Sequence, residues 1–338
     1  MLDNSYFQKA AELIGKSKTI LITTHTKPDG DACGSVTAMY EVLTALGKKT
    51  ELLMLSEIPE WYQFLFAEKV PVLGEDVSLE QLKQGRFAEP DLIVIIDTNS
   101  YSQLPKFDEF LKQNTKPILV IDHHITSDAL GDVELVDTSA AATALIVFDL
   151  LKYAKWPVTE KIARALFTAV ATDTGWFQFN NTDSRVYRTC ADLIEAGANP
   201  TELHHTLYQN FSPQRFKLMA AMLSTLELYL DGRFATQHLR QADFEQTGAA
   251  YQDTENLIDE CRRIGTVEAA ALFVELVDGR IKCSLRSNDT IDVRKIAAKF
   301  GGGGHTTAAG AHLPGALQKA KELILAEMTE HFKRLDSK

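Results

Sequence analysis

The first half of the chain repeats one pattern, in which a short and continuous apolar run is followed by a stretch with helical spacing. The runs predicted as strands are residues 19–23, 51–55, 92–96 and 118–121. Strands that are apolar throughout and alternate with helices are buried on both faces. The pattern therefore predicts an α/β fold with a mostly parallel sheet and helices on both of its faces.

The later part of the chain has a different pattern, and we predict three regions. Residues 1–185 form the first α/β domain, residues 186–230 a helical connector, and residues 231–338 a smaller α/β domain. The smaller domain is expected to contain a β-hairpin around Asp278-Gly279 and helices near residues 292–300 and 317–332.

Composition excludes several functional classes. The 338 residues carry a formal net charge of −11, which argues against a basic face that follows a long nucleic-acid duplex. We find no apolar run of about eighteen residues, so no membrane span is expected. The N-terminus lacks the features of a signal peptide, and the four cysteines are isolated from one another, as is usual in a reducing compartment. We therefore expect a cytoplasmic protein, and the sequence leaves a homodimer open.

Acidic and histidine side chains follow the predicted strands. His25, Asp29 and Asp31 come after the first strand and Asp97 ends the third, while Asp122, His123 and His124 end the fourth. Asp173 closes a helical run. Ligands bind at the carboxyl ends of strands in parallel sheets, so we expect these residues to meet in one crevice.

This set of side chains indicates a metal centre. Four carboxylates (Asp29, Asp31, Asp97 and Asp173) would repel one another if they were packed together without cations. Two divalent ions would neutralise them, and His25 and His123 would complete the ligand set, with Asp97 as the bridging carboxylate. Mixed carboxylate and imidazole ligands favour Mn²⁺, with Mg²⁺, Co²⁺ or iron as alternatives. Such a pair of ions predicts phosphoester hydrolysis by an activated hydroxide.

The motifs in this order resemble those of the DHH phosphoesterase superfamily, in the branch with a C-terminal DHHA1 domain. The matching segments are His25 to Ser35, Asp97, Asp122-His123-His124 and Thr172 to Gly175. The resemblance implies that His25, Asp29 and Asp97 surround one metal, and that Asp31, Asp97, His123 and Asp173 surround the other. It also implies that His124 contacts the scissile phosphate and that Asp122 orients the histidines.

A glycine-rich segment, Gly301 to Gly304 followed by His305, is the second distinctive feature. Successive glycines leave backbone amides bare enough to approach an anion, although one glycine is also usual where a helix ends. Upstream, alternation on a predicted strand places Arg286 and Ser287 away from the core, where a surface salt bridge is the ordinary role of an arginine. The resemblance to DHHA1 domains implies instead a substrate-binding set, which comprises Arg286, Ser287, Gly302, Gly303, Gly304 and His305.

The resemblance is closest to the bifunctional oligoribonuclease and pAp phosphatase group. It implies hydrolysis of short oligoribonucleotides, of adenosine 3′,5′-bisphosphate (pAp), or of both. Linear dinucleotides such as pApA and inorganic polyphosphate are alternative substrates, and a nucleotide-binding regulator without catalysis is the alternative outside enzymes. A short nucleotide partner also agrees with the acidic charge, because only one or two phosphates need to contact the protein.

Overall fold

The computed structural model describes residues 2–85, 87, 89–209, 211–288, 291–304 and 306–336. Its contacts divide the chain into two compact units, residues 1–210 and 211–338. This boundary falls inside the segment that we predicted as a helical connector. The two helices before it, Ser184–Glu195 and Pro200–Tyr208, belong to the first unit, and the helix Pro213–Ser224 belongs to the second.

The first unit is built from strands and helices that alternate along the chain. Its strands are β1 (Thr19–Thr24), β2 (Lys49–Leu52), β3 (Leu92–Ile96), β4 (Ile118–Asp122) and β5 (Val133–Val136). Its helices are α1 (Asn4–Lys16), α2 (Gly30–Ala45), α3 (Leu79–Lys83), α4 (Phe107–Leu111), α5 (Thr143–Ala154), α6 (Glu160–Asp173), α7 (Ser184–Glu195) and α8 (Pro200–Tyr208), with short 3₁₀ helices at Glu60–Leu65 and Tyr101–Gln103.

Among the described residues, the strands of this unit form one sheet in the order β2-β1-β3-β4-β5, and all neighbouring pairs are parallel. The predicted α/β fold with a parallel sheet is confirmed. Two details differ from the prediction. Strand β2 lies two residues before the expected segment. Strand β5 was not expected because it is a short strand at the edge of the sheet and Glu134 interrupts its apolar sequence.

Apolar side chains on both faces of the sheet explain why these strands are apolar throughout. Ile20 and Ile22 pack in a large core with α2, α5 and α6, while Leu21 packs in a smaller core on the opposite face. Every residue of β3 is buried. Continuous apolar sequence is therefore needed here, whereas a strand with one solvated face would alternate.

The strand order creates a switch point between β1 and β3. The chain leaves β1 toward β2 on one side, and it leaves β3 toward β4 and β5 on the other. In open parallel sheets a crevice forms at such a point, outside the carboxyl ends of the two strands. His25 and Asp97 directly follow these two strand ends.

The second unit contains a mixed sheet. Its strands are β6 (Glu227–Tyr229), β7 (Phe234–Leu239), β8 (Ala269–Glu275), β9 (Ile281–Ser287), β10 (Gly303–Gly304) and β11 (Ala308–Leu313). Its helices are α9 (Pro213–Ser224), α10 (Gln241–Thr247), α11 (Val293–Ala298) and α12 (Leu317–Asp336), with 3₁₀ helices at Tyr251–Thr254 and Leu257–Arg263. In the described part of the chain the strand order is β10-β11-β9-β8-β7-β6.

The expected hairpin is present in this sheet, since β8 and β9 pair antiparallel across Asp278 and Gly279. Strands β6, β7, β10 and β11 were not predicted, and β6 lies at the end of the segment that we predicted as a helical connector. The glycines of β10 have no strand propensity of their own, and only pairing with β11 makes them extended. No helix within the described ranges is both long and apolar enough to cross a membrane.

Candidate metal centre

Six side chains from five elements meet at the carboxyl end of the parallel sheet. Histidines His25 and His123 follow β1 and β4, and Asp97 follows β3. The other three carboxylates belong to helices, because Asp29 caps α2, Asp31 lies in its first turn, and Asp173 is the last residue of α6. All six sequence-predicted ligand residues are therefore brought to one place.

The first group consists of His25, Asp29 and Asp97. The His25 Nε2 atom lies 3.5 Å from Asp97 Oδ2 and 4.0 Å from Asp29 Oδ1. One donor atom from each residue falls within 4.8 Å of the others, so the group could hold a metal ion. Asp97 is buried, whereas Asp29 is exposed at the rim.

The second group consists of Asp31, His123 and Asp173. The His123 Nε2 atom lies 3.5 Å from Asp173 Oδ2 and 4.0 Å from Asp31 Oδ2. The same nitrogen lies 3.7 Å from Asp97 Oδ1, which is the Asp97 oxygen not used in the first group. Asp97 thus presents one oxygen toward each group, which is the arrangement that a bridging carboxylate needs.

Backbone carbonyls orient both histidines of these groups. Nδ1 of His25 donates to the Thr26 carbonyl at 2.8 Å, and Nδ1 of His123 donates to the Ala140 carbonyl at 3.1 Å. Because each Nδ1 must carry the hydrogen, each Nε2 faces the carboxylates as the nitrogen that can bind a metal. Hydrogen bonds of this kind fix the tautomer and the ring plane of metal-binding histidines.

Asp31 is fixed by the start of α5. Its Oδ2 atom accepts from the Thr143 backbone N–H at 2.6 Å, and its Oδ1 atom accepts from the Ala144 N–H at 3.0 Å and from the Ser35 hydroxyl at 3.0 Å. A carboxylate from another helix therefore caps α5. This contact satisfies backbone N–H groups in the first turn of α5, which begins at Thr143.

The Thr143 hydroxyl is a positioning group that the sequence did not reveal. It donates to Asp97 Oδ1 at 2.8 Å, and the residue is fully buried. Thr143 thus holds Asp31 through its backbone and Asp97 through its side chain. A threonine at a helix start is an ordinary pattern, so only the fold could link it to the carboxylates.

His124 and Asp122 form a second polar pair beside the two groups. Asp122 Oδ1 accepts from the His124 Nδ1 at 2.8 Å and from the backbone N–H groups of His123 and His124. Asp122 is fully buried, and the His124 side chain is 46% exposed. The hydrogen bond with Asp122 raises the pKa of His124 to about 9. His124 is thus held by Nδ1, while its ring remains accessible.

The pKa values of Asp31 and Asp173 reflect the close packing of carboxylates at the metal centre. Burial raises the pKa of Asp31 well above the ordinary carboxyl value, and the charges of Asp97 and Asp29 raise it further. Burial and the charge of Asp31 have the same effect on the pKa of Asp173. These carboxylates would ionise together more readily beside cations, which favour the charged form.

Asp97 is held in an unusual backbone conformation. Its φ is +65°, in the left-handed region that non-glycine residues enter at a cost and that Asp and Asn tolerate best. Its backbone N–H donates to the Ile121 carbonyl of β4 at 2.8 Å. Burial would raise the pKa of Asp97, but the hydrogen bond and charge of His25 outweigh burial and lower it.

Backbone conformation and close packing explain most of the glycines in the glycine-rich segment of the second unit. Gly301 lies three residues after the end of α11 and has a φ of +72°. The N–H groups of Gly301 and Gly302 donate to the carbonyls of Ala298 and Ala297 in that helix. A Cβ on Gly302 would lie 2.1 Å from the Gly310 carbonyl oxygen, and one on Gly304 would lie 2.4 Å from the Ala308 carbonyl oxygen. Close backbone approach to β11 explains these two positions, and Gly304 also has a φ of +138°.

Gly303 differs from its neighbours. Within the described part of the chain, nothing lies within 4 Å of a Cβ added at this position, and the residue is exposed. His305, which we predicted as a substrate-binding residue, lies outside the described residues.

Arg286 and Ser287 lie on opposite faces of β9. Arg286 is partly exposed, and its Nε atom lies 3.8 Å from Asp259 Oδ1, which agrees with the surface ion pair that spacing alone favoured. The expectation that Ser287 projects away from the core is wrong. Ser287 is buried on the side of Ile281, Cys283 and Leu285, as a period of two requires, and its hydroxyl donates to the Ile291 carbonyl at 2.5 Å.

Comparisons with known proteins agree with the motifs. The model of the DHH family, N-terminal domain, matches residues 19–172, and the model of the DHHA1 domain matches residues 231–334. The chain is 33% identical over 322 residues to the bifunctional oligoribonuclease and PAP phosphatase NrnA of Thermus thermophilus, covering 93% of this chain and 90% of that protein. The resemblance to the superfamily is thereby confirmed.

Solved structures show the same fold. An exopolyphosphatase-related protein from Bacteroides fragilis superimposes with a TM-score of 0.91 at 22% identity, covering 99% of this chain and 98% of that chain. An exonuclease RecJ structure bound to manganese superimposes with a TM-score of 0.53 at 16% identity, covering 96% of this chain and 95% of that one. The architecture of both units is therefore found in proteins of distant sequence.

Proposed function

As the chain belongs to the DHH family, with a C-terminal DHHA1 domain, we propose that it is a metal-dependent phosphoric ester hydrolase that acts on short oligoribonucleotides and on pAp. The relative from Thermus thermophilus carries both activities in its name and aligns over nearly the whole chain. The two ligand groups that meet at Asp97 are the observation on which the proposal depends.

Two divalent cations would occupy these groups. His25, Asp29 and Asp97 would hold one ion, and Asp31, Asp97, His123 and Asp173 the other. The donor set fits such ions because both imidazoles present Nε2 to the carboxylates, and because four carboxylates need positive charge nearby. When bound, the cations supply Lewis acidity and lower the pKa of water.

Mn²⁺ is the ion that we propose, with Mg²⁺ and Co²⁺ as alternatives. Hard carboxylates combined with imidazoles suit Mn²⁺ better than Ca²⁺, which prefers oxygen ligands alone. The manganese in the RecJ exonuclease structure of the same fold is consistent with this choice.

The residues around the ligands would position the substrate. His124 is half-exposed and is held through Nδ1 by Asp122, so its Nε2 is available to donate to an oxygen of the scissile phosphate. Asp122 would keep that ring in place, because it also accepts from two backbone N–H groups of the same turn. Thr143 would keep both Asp31 and Asp97 oriented.

In the second unit we propose that Arg286 and the glycine-rich segment bind a terminal phosphate. The 3.8 Å contact between Arg286 and Asp259 is long for an ion pair, so an incoming phosphate could replace the carboxylate. The exposed Gly303 and Gly304 leave backbone near solvent. Gly302, Ser287 and His305 complete the proposed set, although Ser287 already has a partner within the fold.

The domain assignment is also a proposal. Residues 1–185 would form the DHH domain, residues 186–230 the connector, and residues 231–338 the DHHA1 domain. The matches to residues 19–172 and 231–334 lie inside the two proposed domains.

A substrate panel tests the proposed function. Purified protein with Mn²⁺ or Mg²⁺ is given pAp, pApA, RNA of about two to five residues, and polyphosphate, and product release is followed for each. We expect turnover of short RNA and pAp. Preference for pApA or polyphosphate would select an alternative substrate, and nucleotide binding without any turnover would support a regulator.

Asp97→Asn is the matched inactive control for this panel. Asparagine tolerates the left-handed backbone at position 97, so the fold should persist. Loss of the bridging charge should lower turnover by about 10³-fold or more, since metal stabilisation is worth several kcal/mol. A variant with wild-type activity would refute the proposed centre.

A further inference from the structure

Three aromatic rings of the first unit contact one another. The Trp176 ring lies 4.9 Å from the His204 ring and 5.5 Å from the Tyr208 ring, and His204 and Tyr208 are 5.1 Å apart. We call this set the Trp176–His204–Tyr208 cluster. Nothing in the proposed chemistry of phosphate hydrolysis uses it.

The chain adopts a strained turn to place Trp176 in the cluster. Gly175, Trp176 and Phe177 have φ values of +56°, +56° and +66° in succession. Left-handed conformations are unfavourable for L-residues with side chains, so two such residues in a row need a compensating role. The turn begins directly after Asp173, and Trp176 therefore follows a proposed ligand by three residues.

A 3₁₀ helix packs against both the helix that Asp29 caps and the helix that carries His204 and Tyr208. It comprises residues Glu60–Leu65, and the two helices are α2 and α8. Burial raises the pKa of Tyr62 in this segment, and Asp29 and Tyr208 raise it further. Both the helix that Asp29 caps and the helix of the cluster therefore contact this one segment.

The cluster remains accessible. Tyr208 is 39% exposed, and Trp176 and His204 are only partly buried, although the same unit has a core large enough to cover aromatic rings. The chain carries a net charge of −11, with 46 acidic and 35 basic residues. Stacking on aromatic rings binds a nucleobase without adding positive charge.

We propose that the Trp176–His204–Tyr208 cluster binds the nucleobase of the nucleotide whose phosphate is cleaved at the metal centre, with Tyr208 as a specificity-determining residue. The proposal rests on the proposed function and deepens it, because it assigns base recognition to the unit that carries the metal ligands. The cluster would distinguish nucleotides from phosphoesters that lack a base.

A pair of substrates that differ only in the base tests this assignment. Steady-state kinetics are measured with pAp and with ribose 3′,5′-bisphosphate for wild type and Tyr208→Leu. We expect the leucine variant to raise KM for pAp about tenfold with little change in kcat. Its KM for ribose 3′,5′-bisphosphate should stay at the wild-type value, which also shows that the variant is folded.

Two further variants serve as controls. Tyr208→Phe keeps the ring and should keep the wild-type KM for pAp. Tyr153→Leu removes a tyrosine ring that is 37% exposed and stacked on Phe7, so it is the same substitution at a position of similar exposure outside the cluster. This variant should leave both KM values unchanged.

The possible failures are distinguishable. If Tyr208→Leu changes both substrates equally or changes neither, base recognition by the cluster is wrong while the hydrolase assignment stands. If the wild-type protein hydrolyses neither these two compounds nor short RNA, the proposed function itself is wrong.

Discussion

The metal centre of the first unit and the glycine-rich segment of the second unit were both predicted from motifs, but their residues have different relations to the fold. At the metal centre, side chains from several elements turn polar atoms toward one another, and the fold gains no obvious stability from gathering four carboxylates. In the glycine-rich segment, Gly301, Gly302 and Gly304 are required by the backbone itself.

A motif is stronger evidence for function when the fold itself does not require its residues. Glycines and a buried serine can be explained by chain geometry alone, so their presence supports a binding role only weakly. A cluster of carboxylates that raise one another's pKa has no such explanation, because it opposes folding unless cations are present. The two regions should therefore respond differently to metal and to substitution.

The largest contrast should appear on addition of metal. At a concentration of Mn²⁺ one hundred times its Kd, a site in the native state should stabilise the unit that contains it by about 2.7 kcal/mol. Hydrogen exchange of the amides in β1, β3 and β4 should slow by about 100-fold, and that of β7 to β9 should not. Asp97→Asn provides the control, and equal slowing in this variant would contradict the assigned ligands.

Thr143→Val should weaken metal binding or activity by about 10- to 100-fold, as loss of an orienting hydrogen bond commonly does. Valine has the shape of threonine but cannot donate to Asp97. Metal affinity is measured by calorimetry, and Thr143→Ser should restore it.

Thr168→Val is the matched control for a lost buried hydroxyl, because Thr168 donates to the Arg164 carbonyl within its own helix. If both valine variants lose metal affinity to the same extent, Thr143 has no specific role in orienting Asp97.

Two glycine variants separate structure from binding in the second unit. Gly302→Ala should lower the free energy of unfolding by about 1–3 kcal/mol, because its methyl group would collide with the Gly310 carbonyl. Gly303→Ala has space for the methyl group, so its stability should change by less than about 0.5 kcal/mol. Urea denaturation gives both values.

A raised KM in Gly303→Ala at unchanged stability would support the proposed phosphate contact. Equal destabilisation by the two alanines would show that the glycine-rich segment is needed for folding at both positions.

The smallest effect is expected for Ser287→Ala. Loss of the hydrogen bond to the Ile291 carbonyl should lower the free energy of unfolding by about 1 kcal/mol. Ser284→Ala, at a half-buried position on the opposite face of β9, is the control and should change it by less than about 0.5 kcal/mol. If Ser287→Ala instead raises KM without loss of stability, the serine serves the substrate and not the fold.

Sequence patterns alone predicted the parallel sheet and the six side chains that meet at the carboxyl ends of its strands. This was possible because continuous apolar strands identify a sheet buried on both faces, and because strand ends in such a sheet converge. Resemblance to a family added the pairing of ligands, which spacing along the chain does not contain.

Only the tertiary structure placed Thr143 between Asp31 and Asp97, and only it brought the rings of Trp176, His204 and Tyr208 together. Thr143 is far in sequence from both carboxylates, and Trp176 is far from His204 and Tyr208, which lie four residues apart on α8. Each residue alone has an ordinary local role as a helix start, a turn or a helix face. Local periodicity records which face of an element is buried, but it does not record which distant atom that face meets.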